Sequence, residues 1–283
     1  MRAQIVLATH NPPTALLRRQ LDSIRSQTIE DWTCLIFDDS STVRAEVEAL
    51  STTDPRFRLL PARARQGAYR AFELLMWEAA NSVPVFLCDQ DDYWYPDKME
   101  RMLATPCPAF CAMRVVAQDG KVLRERFVTP PESLTPAGIL LMNVVSGAAL
   151  KITPEVRQAA LPFPSPQWRG WHDQWLATVA LRLGKLDFID APLMDYTRHT
   201  GQVTGDGLRR LRIGSVTDFA ARPQLRSRVL WVQAAAQALL RLPGPADPDL
   251  EQIAVGHFDR VLARHEIPRR RALLLRLGSL WAR

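Results

Sequence analysis

The chain has 283 residues, of which 47% are hydrophobic and 23% are charged. This balance is ordinary for a folded globular protein, and it excludes disordered and fibrous classes. The length allows one α/β domain of common size together with a smaller appended region. The net charge of +6 favours phosphate-bearing partners in general but does not choose between nucleic acids, lipids and nucleotides.

Cysteine usage and hydropathy argue against a zinc site and against a membrane-spanning segment. The four cysteines have no Cys-x-x-Cys pairing or histidine set beside them, so we expect buried thiols at Cys34, Cys88, Cys107 and Cys111. The apolar run of Ile5 to Ala8 is too short for a signal-peptide core. No run approaches the roughly 20 apolar residues that cross a bilayer. A cytoplasmic protein without transmembrane helices is expected.

The first third of the chain alternates between short apolar runs and segments of helical periodicity. Strands are predicted at residues 5–9, 34–37, 57–60 and 83–88. Helices are predicted at residues 16–24, 43–50 and 68–80. This alternation predicts a mostly parallel central sheet with helices on both faces and with ligands outside the carboxyl ends of the strands.

Beyond Pro96 the pattern changes and predicts mixed strands. A β-hairpin is expected from Phe110 to Phe127, turning at Asp119-Gly120. Later elements are a helix starting at Thr153-Pro154, a helix at residues 173–183 that ends at Gly184, and a strand at residues 186–189. We therefore divide the chain into a catalytic part at residues 1–205, with halves at 1–98 and 99–205, and a helical basic C-terminal region at 206–283.

The C-terminal region combines arginines with apolar stripes. Basic residues that imply a surface partner recur there, namely Arg209, Arg210, Arg212, Arg222, Arg226, Arg228, Arg269, Arg270 and Arg271. One helical face near the end collects Leu273, Leu274, Leu277, Leu280 and Trp281. Two interpretations stay open: an amphipathic helix that gives peripheral contact with the inner face of the membrane, and a helix docked on its own domain.

Polar side chains follow three of the predicted parallel strands. These segments are Thr9-His10-Asn11, Asp38-Asp39 and Asp89-Gln90-Asp91-Asp92. Strand ends of this kind meet at one crevice, where grouped carboxylates destabilise the fold unless a cation joins them. Oxygen ligands favour Mg²⁺ or Mn²⁺. No P-loop is present, so basic side chains such as Arg63, Arg65 and Arg70 would help to hold phosphates. The alternative is that these acidic strand ends are only solvated caps.

The motifs resemble, in order, those of the family 2 glycosyltransferases, which have a GT-A fold, and the resemblance covers roughly residues 1–205. The matching segments are residues 6–11, 21–28, 37–41 and 89–98. The last of them, Asp89-Gln90-Asp91-Asp92-Tyr93-Trp94-Tyr95-Pro96-Asp97-Lys98, is similar to the DxD segment of bacterial rhamnosyltransferase-like members. The resemblance implies an inverting, metal-dependent transfer of a sugar from a dTDP- or UDP-sugar to a glycan or lipid-linked glycan, with no nucleic-acid partner.

The resemblance also implies roles for residues of the donor half. Thr9, Asn11 and Asp39 would contact the nucleoside, with Asp39 bound to the imide edge of the pyrimidine. Asp89 would approach the ribose and Asp91 would bind the metal. Arg70 stays a candidate for the phosphates.

Downstream segments complete the implied site. Trp171-His172-Asp173 resembles the segment that contains the catalytic base, which makes Asp173 the base, with helix capping as the alternative. Residues 196–199 resemble a Tyr-Arg-x-His stretch, from which His199 would bind metal and Arg198 phosphate. Residues 143–147 resemble the acceptor-side segment, where Gly147 would allow close backbone approach. The competing hypothesis is a catalytically silent sugar-nucleotide-binding or scaffold protein.

Overall fold

The structure is a computed structural model and describes residues 1–127, 130, 133–165, 170–199, 223–265, 267, 272 and 275. Its strands are β1 (Ala3–Thr9), β2 (Trp32–Asp38), β3 (Phe57–Leu59), β4 (Val85–Cys88), β5 (Tyr93–Trp94), β6 (Ala109–Ala117), β7 (Val122–Phe127), β8 (Leu150–Ile152) and β9 (Asp187–Arg198). Its helices are α1 (Thr14–Arg25), α2 (Arg44–Ser51), α3 (Ala68–Glu78), α4 (Lys98–Leu103), α5 (Pro136–Leu141), α6 (Pro154–Ala160), α7 (His172–Leu183), α8 (Pro223–Leu240), α9 (Pro248–Ala254) and α10 (Phe258–Leu262). A 3₁₀ turn covers Gly147–Ala149.

All nine strands belong to one mixed sheet with the order β3-β2-β1-β4-β8-β6-β9-β5, and β7 pairs with β6. The first four strands in this order are parallel to one another, as predicted. Strand β8 is antiparallel to both β4 and β6, and it joins the parallel half to the mixed half. The predicted hairpin is confirmed as β6 and β7.

The parallel half forms because its strands are apolar on both faces. Ile5, Val6 and Leu7 are fully buried in β1, as strands covered by helices on both sides require. The register pairs Thr9 with Asp38 on the adjacent strand. The same register pairs Leu7 with Cys88, so the chain leaves β4 for Asp89 near the end of β1. The sheet therefore gathers three polar segments at one edge.

Strand β9 is longer than the sequence pattern predicts. The sequence predicts a strand at residues 186–189 only, whereas β9 continues through Pro192, which has no backbone N–H to donate to the sheet. The structure accommodates this interruption with register shifts, since Cys111 pairs with Ile189 and Ala112 with Pro192. Pairing then continues to Arg198, which brings the end of β9 to the acidic segment after β4.

The predicted helix boundaries at Thr153 and Gly184 are confirmed. The Thr153 hydroxyl accepts a hydrogen bond from the backbone N–H of Val156, with Pro154 in the first turn. Helix α7 ends at Gly184, whose φ of 145° lies in a region that other residues avoid. Three of the four cysteines are buried and Cys107 is half-buried, and all four are free thiols.

The described C-terminal residues are helical, as predicted, and they share the main hydrophobic core. Trp231 of α8 is fully buried, and its indole Nε1–H donates to the Tyr69 hydroxyl at 3.0 Å. Leu275 is also buried in this core. The predicted leucine face of residues 273–281 otherwise lies outside the described residues, as does the proposed boundary near residue 205. Among the helices of the described part, each is too short or too polar to cross a bilayer.

Replacing Trp231 with alanine tests whether α8 is integral to the fold. The substitution Trp231→Ala leaves a large cavity and removes the hydrogen bond that the Tyr69 hydroxyl accepts, although this hydroxyl still donates to the carbonyl oxygen of Pro164. We expect it to lower the free energy of unfolding by about 3–5 kcal/mol. Urea unfolding followed by circular dichroism measures the change. The matched control is Trp77→Ala, because Trp77 is 60% exposed and its removal should cost less than about 0.5 kcal/mol. Equal costs for the two variants would contradict an integral α8.

Candidate functional site

The edge formed by β1, β2 and β4 is held together by buried side-chain hydrogen bonds. The Thr9 hydroxyl donates to Oδ1 of Asp38 at 2.8 Å, and both residues are buried. Asp38 also accepts from the backbone N–H of Ser41 at 3.0 Å. Thr9, which we predicted to contact a nucleoside, therefore directs its hydroxyl proton to Asp38. This pair fixes the end of β1 against the end of β2.

Asp39 connects the strand edge with the start of α3. Its carboxylate accepts the backbone N–H groups of Gln66 at 2.5 Å and Gly67 at 2.8 Å. Gly67 has a φ of 77°, which allows the two N–H groups to turn toward Asp39. Each carboxylate oxygen keeps one further acceptor position. Asp39 is 4% exposed, so it lies at the wall of the crevice as a preorganised acceptor.

Two further contacts join the loops at this edge. Oδ1 of Asn11 accepts from the backbone N–H and the hydroxyl of Thr42 at 2.8 and 3.0 Å. The backbone N–H of His10 donates to the side chain of Gln90 at 2.8 Å. The loop after β1 is thus attached to the loop after β2 and to the acidic segment after β4. The structure brings together the three polar segments that the sequence predicts to converge.

The acidic segment contains carboxyl groups in strongly perturbed environments. Burial, followed by the charges of Asp91 and Asp173, raises the pKa of Asp89 to about 7. Asp92 is fully buried, and burial raises its pKa well above the usual range. Its Oδ1 accepts the backbone N–H of Thr197 at 3.0 Å, whereas its Oδ2 has no partner among the described residues. Such a cluster favours an added cation.

A buried ammonium group partly compensates this charge. Lys98 is fully buried, and its Nζ donates to the carbonyl oxygen of Ala148 at 2.6 Å. The same Nζ lies 3.7 Å from the centroid of the Trp94 ring, a cation–π contact. Burial lowers the pKa of Lys98 to about 8, while its charge lowers the pKa values of Asp89 and Asp92.

The end of β9 is attached to the acidic segment at several points. Nε2 of His199 lies 2.6 Å from Oδ2 of Asp91. Arg19 of α1 donates to the backbone carbonyl of Asp91 at 3.3 Å and also to the Thr197 hydroxyl. The two residues that we predicted as metal ligands, Asp91 and His199, are therefore neighbours. Arg198, at the end of the same strand, is half-buried.

Asp173 lies in the first turn of α7. Burial raises the pKa of Asp173 to about 6, against hydrogen bonds from the N–H groups of Gln174 and Gly147 and from the Asn143 side chain. The Gln174 bond measures 2.6 Å. Asp173 thus contributes to the helix start, although the N-cap position belongs to Trp171. Its charge raises the pKa of Asp89, so α7 is coupled electrostatically to the acidic segment.

Gly147 makes the close approach between the 3₁₀ turn and α7 possible. A Cβ atom at this position would lie 2.6 Å from Nε2 of His172. The His172 ring cannot easily move, because it stacks on Phe72 with 3.7 Å between ring centroids. Burial lowers the pKa of His172 to about 3, so the ring is neutral. The acceptor-side segment around Gly147 therefore depends on the absence of a side chain there.

Asp91 and His199 fit a divalent cation whose remaining ligands would come from the substrate and from water. Within the described part of the chain, no three His, Cys, Asp or Glu side chains are arranged to hold a metal ion. Asp91 and His199 offer two adjacent ligand atoms, and Oδ2 of Asp92 has no hydrogen-bond partner among the described residues. Mg²⁺ commonly takes one or two carboxylates and completes its shell with water and phosphate oxygens.

Other predicted phosphate ligands lie along α3. Arg70 forms an ion pair with Glu73, and Arg63 lies 3.7 Å from Glu78. With Trp77 they line a groove of about 300 Å³. Sequence reasoning missed Arg19, Lys98 and Arg228, which contact the site from three different helices. Each of them stands among other polar residues of its helix, so the sequence gives no signal that singles it out.

Residues 4–127 match the model of the family described as Glycosyl transferase family 2. This segment includes Thr9, Asp39 and the acidic segment but ends before Asp173 and His199. A relative named as the teichuronic acid biosynthesis glycosyltransferase TuaG of Bacillus subtilis (strain 168) is 28% identical over 164 residues. The match covers 56% of this chain and 64% of the relative, so less than two thirds of that protein is represented here.

Solved structures resemble most of the chain in fold. S. aureus TarS 1–349 in complex with UDP-GlcNAc has a TM-score of 0.65 at 13% identity, over 94% of this chain and 74% of that chain. Mannosyltransferase PcManGT from Pyrobaculum calidifontis, in complex with GDP-Man and Mn²⁺, has a TM-score of 0.55 at 18% identity, over 99% of this chain and 74% of that chain. The GT-A fold predicted from the sequence is confirmed.

The variant Gly147→Ala tests the close packing at the acceptor side. Its added methyl group must displace the His172 ring and with it the turn that holds Asp173, and we expect a loss of about 1–3 kcal/mol in unfolding free energy. Thermal and urea unfolding measure the loss. In a His172→Ala background the space is available, so the same substitution should cost less. Equal costs in both backgrounds would contradict the steric explanation.

Proposed function

We propose that the protein is an inverting glycosyltransferase that moves a sugar from a UDP- or dTDP-sugar to a hydroxyl group of a glycan. The observation that supports this best is that the carboxyl groups of Asp89 and Asp173, from separate segments of a GT-A fold, are near enough for the charge of Asp173 to raise the pKa of Asp89. One belongs to the acidic segment that suits a nucleotide diphosphate. The other lies on a separate helix, where it can reach an acceptor.

Binding of the donor nucleotide would depend on the carboxyl ends of β1 and β2. Asp39 retains acceptor capacity toward the imide N–H of uracil or thymine, which present the same edge. Thr9 and Asn11 hold the surrounding loops in place. The complex of TarS with UDP-GlcNAc supports a uridine nucleotide in a fold of this kind. Asp89 then lies where the ribose and the transferred sugar meet.

Asp91 and His199 are the proposed ligands of Mn²⁺ or Mg²⁺. A bound divalent cation would supply charge compensation for the departing diphosphate. The Mn²⁺ in the PcManGT complex supports this assignment. Arg198, next to His199 at the end of β9, would contact the phosphates from the same side.

Asp173 is the proposed general base. It accepts the proton of the acceptor hydroxyl while the oxygen forms a bond to the anomeric carbon and the bond from that carbon to the diphosphate oxygen breaks. Attack opposite the leaving group inverts the configuration. With a pKa of about 6, the Asp173 carboxyl is ionised near neutral pH yet remains basic enough to take the proton. The name of the TuaG relative supports a glycan acceptor.

Donor turnover separates this proposal from a silent nucleotide-binding protein. With Mn²⁺ and a panel of UDP- and dTDP-sugars, we expect nucleoside diphosphate release that depends on the metal. The variant Asp91→Asn should reduce turnover by about 10²-fold or more, because the remaining ligand cannot neutralise the diphosphate alone. Release is measured with and without candidate glycan acceptors. Absence of turnover with every donor, despite nucleotide binding, would favour the scaffold hypothesis.

The variant Asp173→Asn tests the base. The amide keeps the shape of the carboxyl but cannot take a proton, so we expect transfer to fall by about 10²–10⁴-fold while donor affinity stays within about twofold. Calorimetry measures donor affinity. In the unaltered protein, kcat should rise with pH through a midpoint near 6, because the ionised form of Asp173 is the active one.

Asp119→Asn is the matched control for this substitution. Asp119 lies exposed in the turn between β6 and β7, so its replacement should change neither transfer nor donor affinity. Loss of donor affinity in Asp173→Asn, together with substantial residual transfer, would overturn the assignment of the base.

A further inference from the structure

Arg228 comes from the C-terminal helical region but lies against the transfer site. It is half-buried on α8, and its guanidinium group donates to Oε1 of Gln174 in the first turn of α7. The guanidinium carbon lies 4.8 Å from the centroid of the Trp231 ring. Arg228 is therefore held by a hydrogen bond and by stacking. A guanidinium group is planar and presents several N–H donors in a fixed fork, a geometry that an ammonium group does not have.

Gln174 links Arg228 to the rest of the acceptor side. It is fully buried, and its Nε2 donates to the carbonyl oxygens of Ile139 at 2.5 Å and Leu140 at 2.9 Å. These carbonyls belong to α5, so one side chain connects α5, α7 and α8. If Arg228 were absent, the amide oxygen of Gln174 would lose a charged donor inside the protein. The first turn of α7, which contains Asp173, would then be less firmly held.

The charges around Asp173 give Arg228 a second effect. The guanidinium of Arg228 on α8 lowers the pKa of Asp173. The charge of Asp173 in turn raises the pKa of Asp89, the carboxyl after β4. The hydrogen-bond donors to Asp173 are neutral, namely Asn143 and the N–H groups of Gly147 and Gln174. His172 on the same helix is neutral as well, because burial lowers its pKa to about 3. Arg228 therefore favours the ionised form of the proposed base.

We propose that Arg228 is a positioning residue of the transfer site, which fixes the first turn of α7 through Gln174 and supplies the positive charge that faces Asp173. This inference rests on the proposed function, because it assigns Asp173 the role of base. It makes α8 a structural part of the site. The sequence pattern had placed Arg228 among surface arginines of a basic region, and its contacts correct that interpretation.

The variants Arg228→Gln and Arg228→Lys separate the two effects. Without the positive charge, Asp173 ionises at higher pH, so in Arg228→Gln the acidic limb of the kcat profile should move up by roughly one pH unit. Donor KM should stay within about twofold. Arg228→Lys keeps the positive charge but loses the planar, forked guanidinium group. The acidic side of its kcat–pH profile should therefore stay near that of the wild-type protein, while kcat falls several-fold.

A titration that needs no turnover distinguishes failure of this inference from failure of the proposed function. Carboxyl ¹³C NMR, with the Asp173 signal assigned by comparison with Asp173→Asn, should show the same upward shift in Arg228→Gln. An unchanged Asp173 titration in a folded Arg228→Gln variant would overturn the inference. If the NMR shift is present but no donor is turned over by the unaltered protein, the proposed function fails and the electrostatic contact stands.

Two further comparisons keep the test decisive. Arg260→Gln is the control, because Arg260 is exposed on α10 and its loss should change neither the limb nor kcat. If Arg228→Gln does not fold, Arg228→Lys still decides the matter. Full kcat in that variant would contradict a positioning role for the guanidinium fork, and a several-fold lower kcat with an unmoved limb would support it.

Discussion

Burial of like charges at one edge of the sheet is the constraint on which the rest of the structure depends. Asp91 and Asp92 are nearly or fully buried beside Asp89, and burial together with the charge of Asp91 raises the pKa values of Asp89 and Asp92. In a low-dielectric setting such a group is costly unless cations or hydrogen-bond donors compensate it. The ammonium group of Lys98 compensates part of this negative charge, and the backbone N–H of Thr197 compensates another part by donating to Asp92. The remainder favours a substrate-bound cation.

Compensation of the buried carboxylates depends on the length of strand β9 in the mixed half of the sheet. Strand β9 passes a bulge near Pro192 and continues far enough to place Thr197 and His199 against the acidic segment. Arg19 then bridges Asp91 and Thr197 from α1. If the strand ended at Ile189, none of these contacts would form. The irregular pairing between β6 and β9 is therefore a feature of the site as much as of the fold.

The sequence could predict some parts of the fold and of the site but not others. The parallel strands and the convergence of their polar ends follow from short-range patterns, because burial on both faces leaves a clear apolar signal. The choice of Asp91 and His199 as metal ligands came from a resemblance and not from periodicity. The contacts of Arg228 and Lys98 could not be assigned from pattern alone, since the residues around a cation give no information about its distant partner. Their positions depend on tertiary packing between segments that are far apart in the chain.

Helix α8 contributes one residue to the hydrophobic core and another to the surroundings of Asp173. Trp231 anchors the helix in the main core through Tyr69 of α3, and one turn earlier this anchor places Arg228 beside Gln174. A charge that faces a buried carboxyl is effective only if it is held rigidly, because a mobile arginine would be solvated and screened. Stacking on the Trp231 ring supplies that rigidity. The helix that contributes Trp231 to the hydrophobic core is thereby also the helix whose arginine lowers the pKa of Asp173.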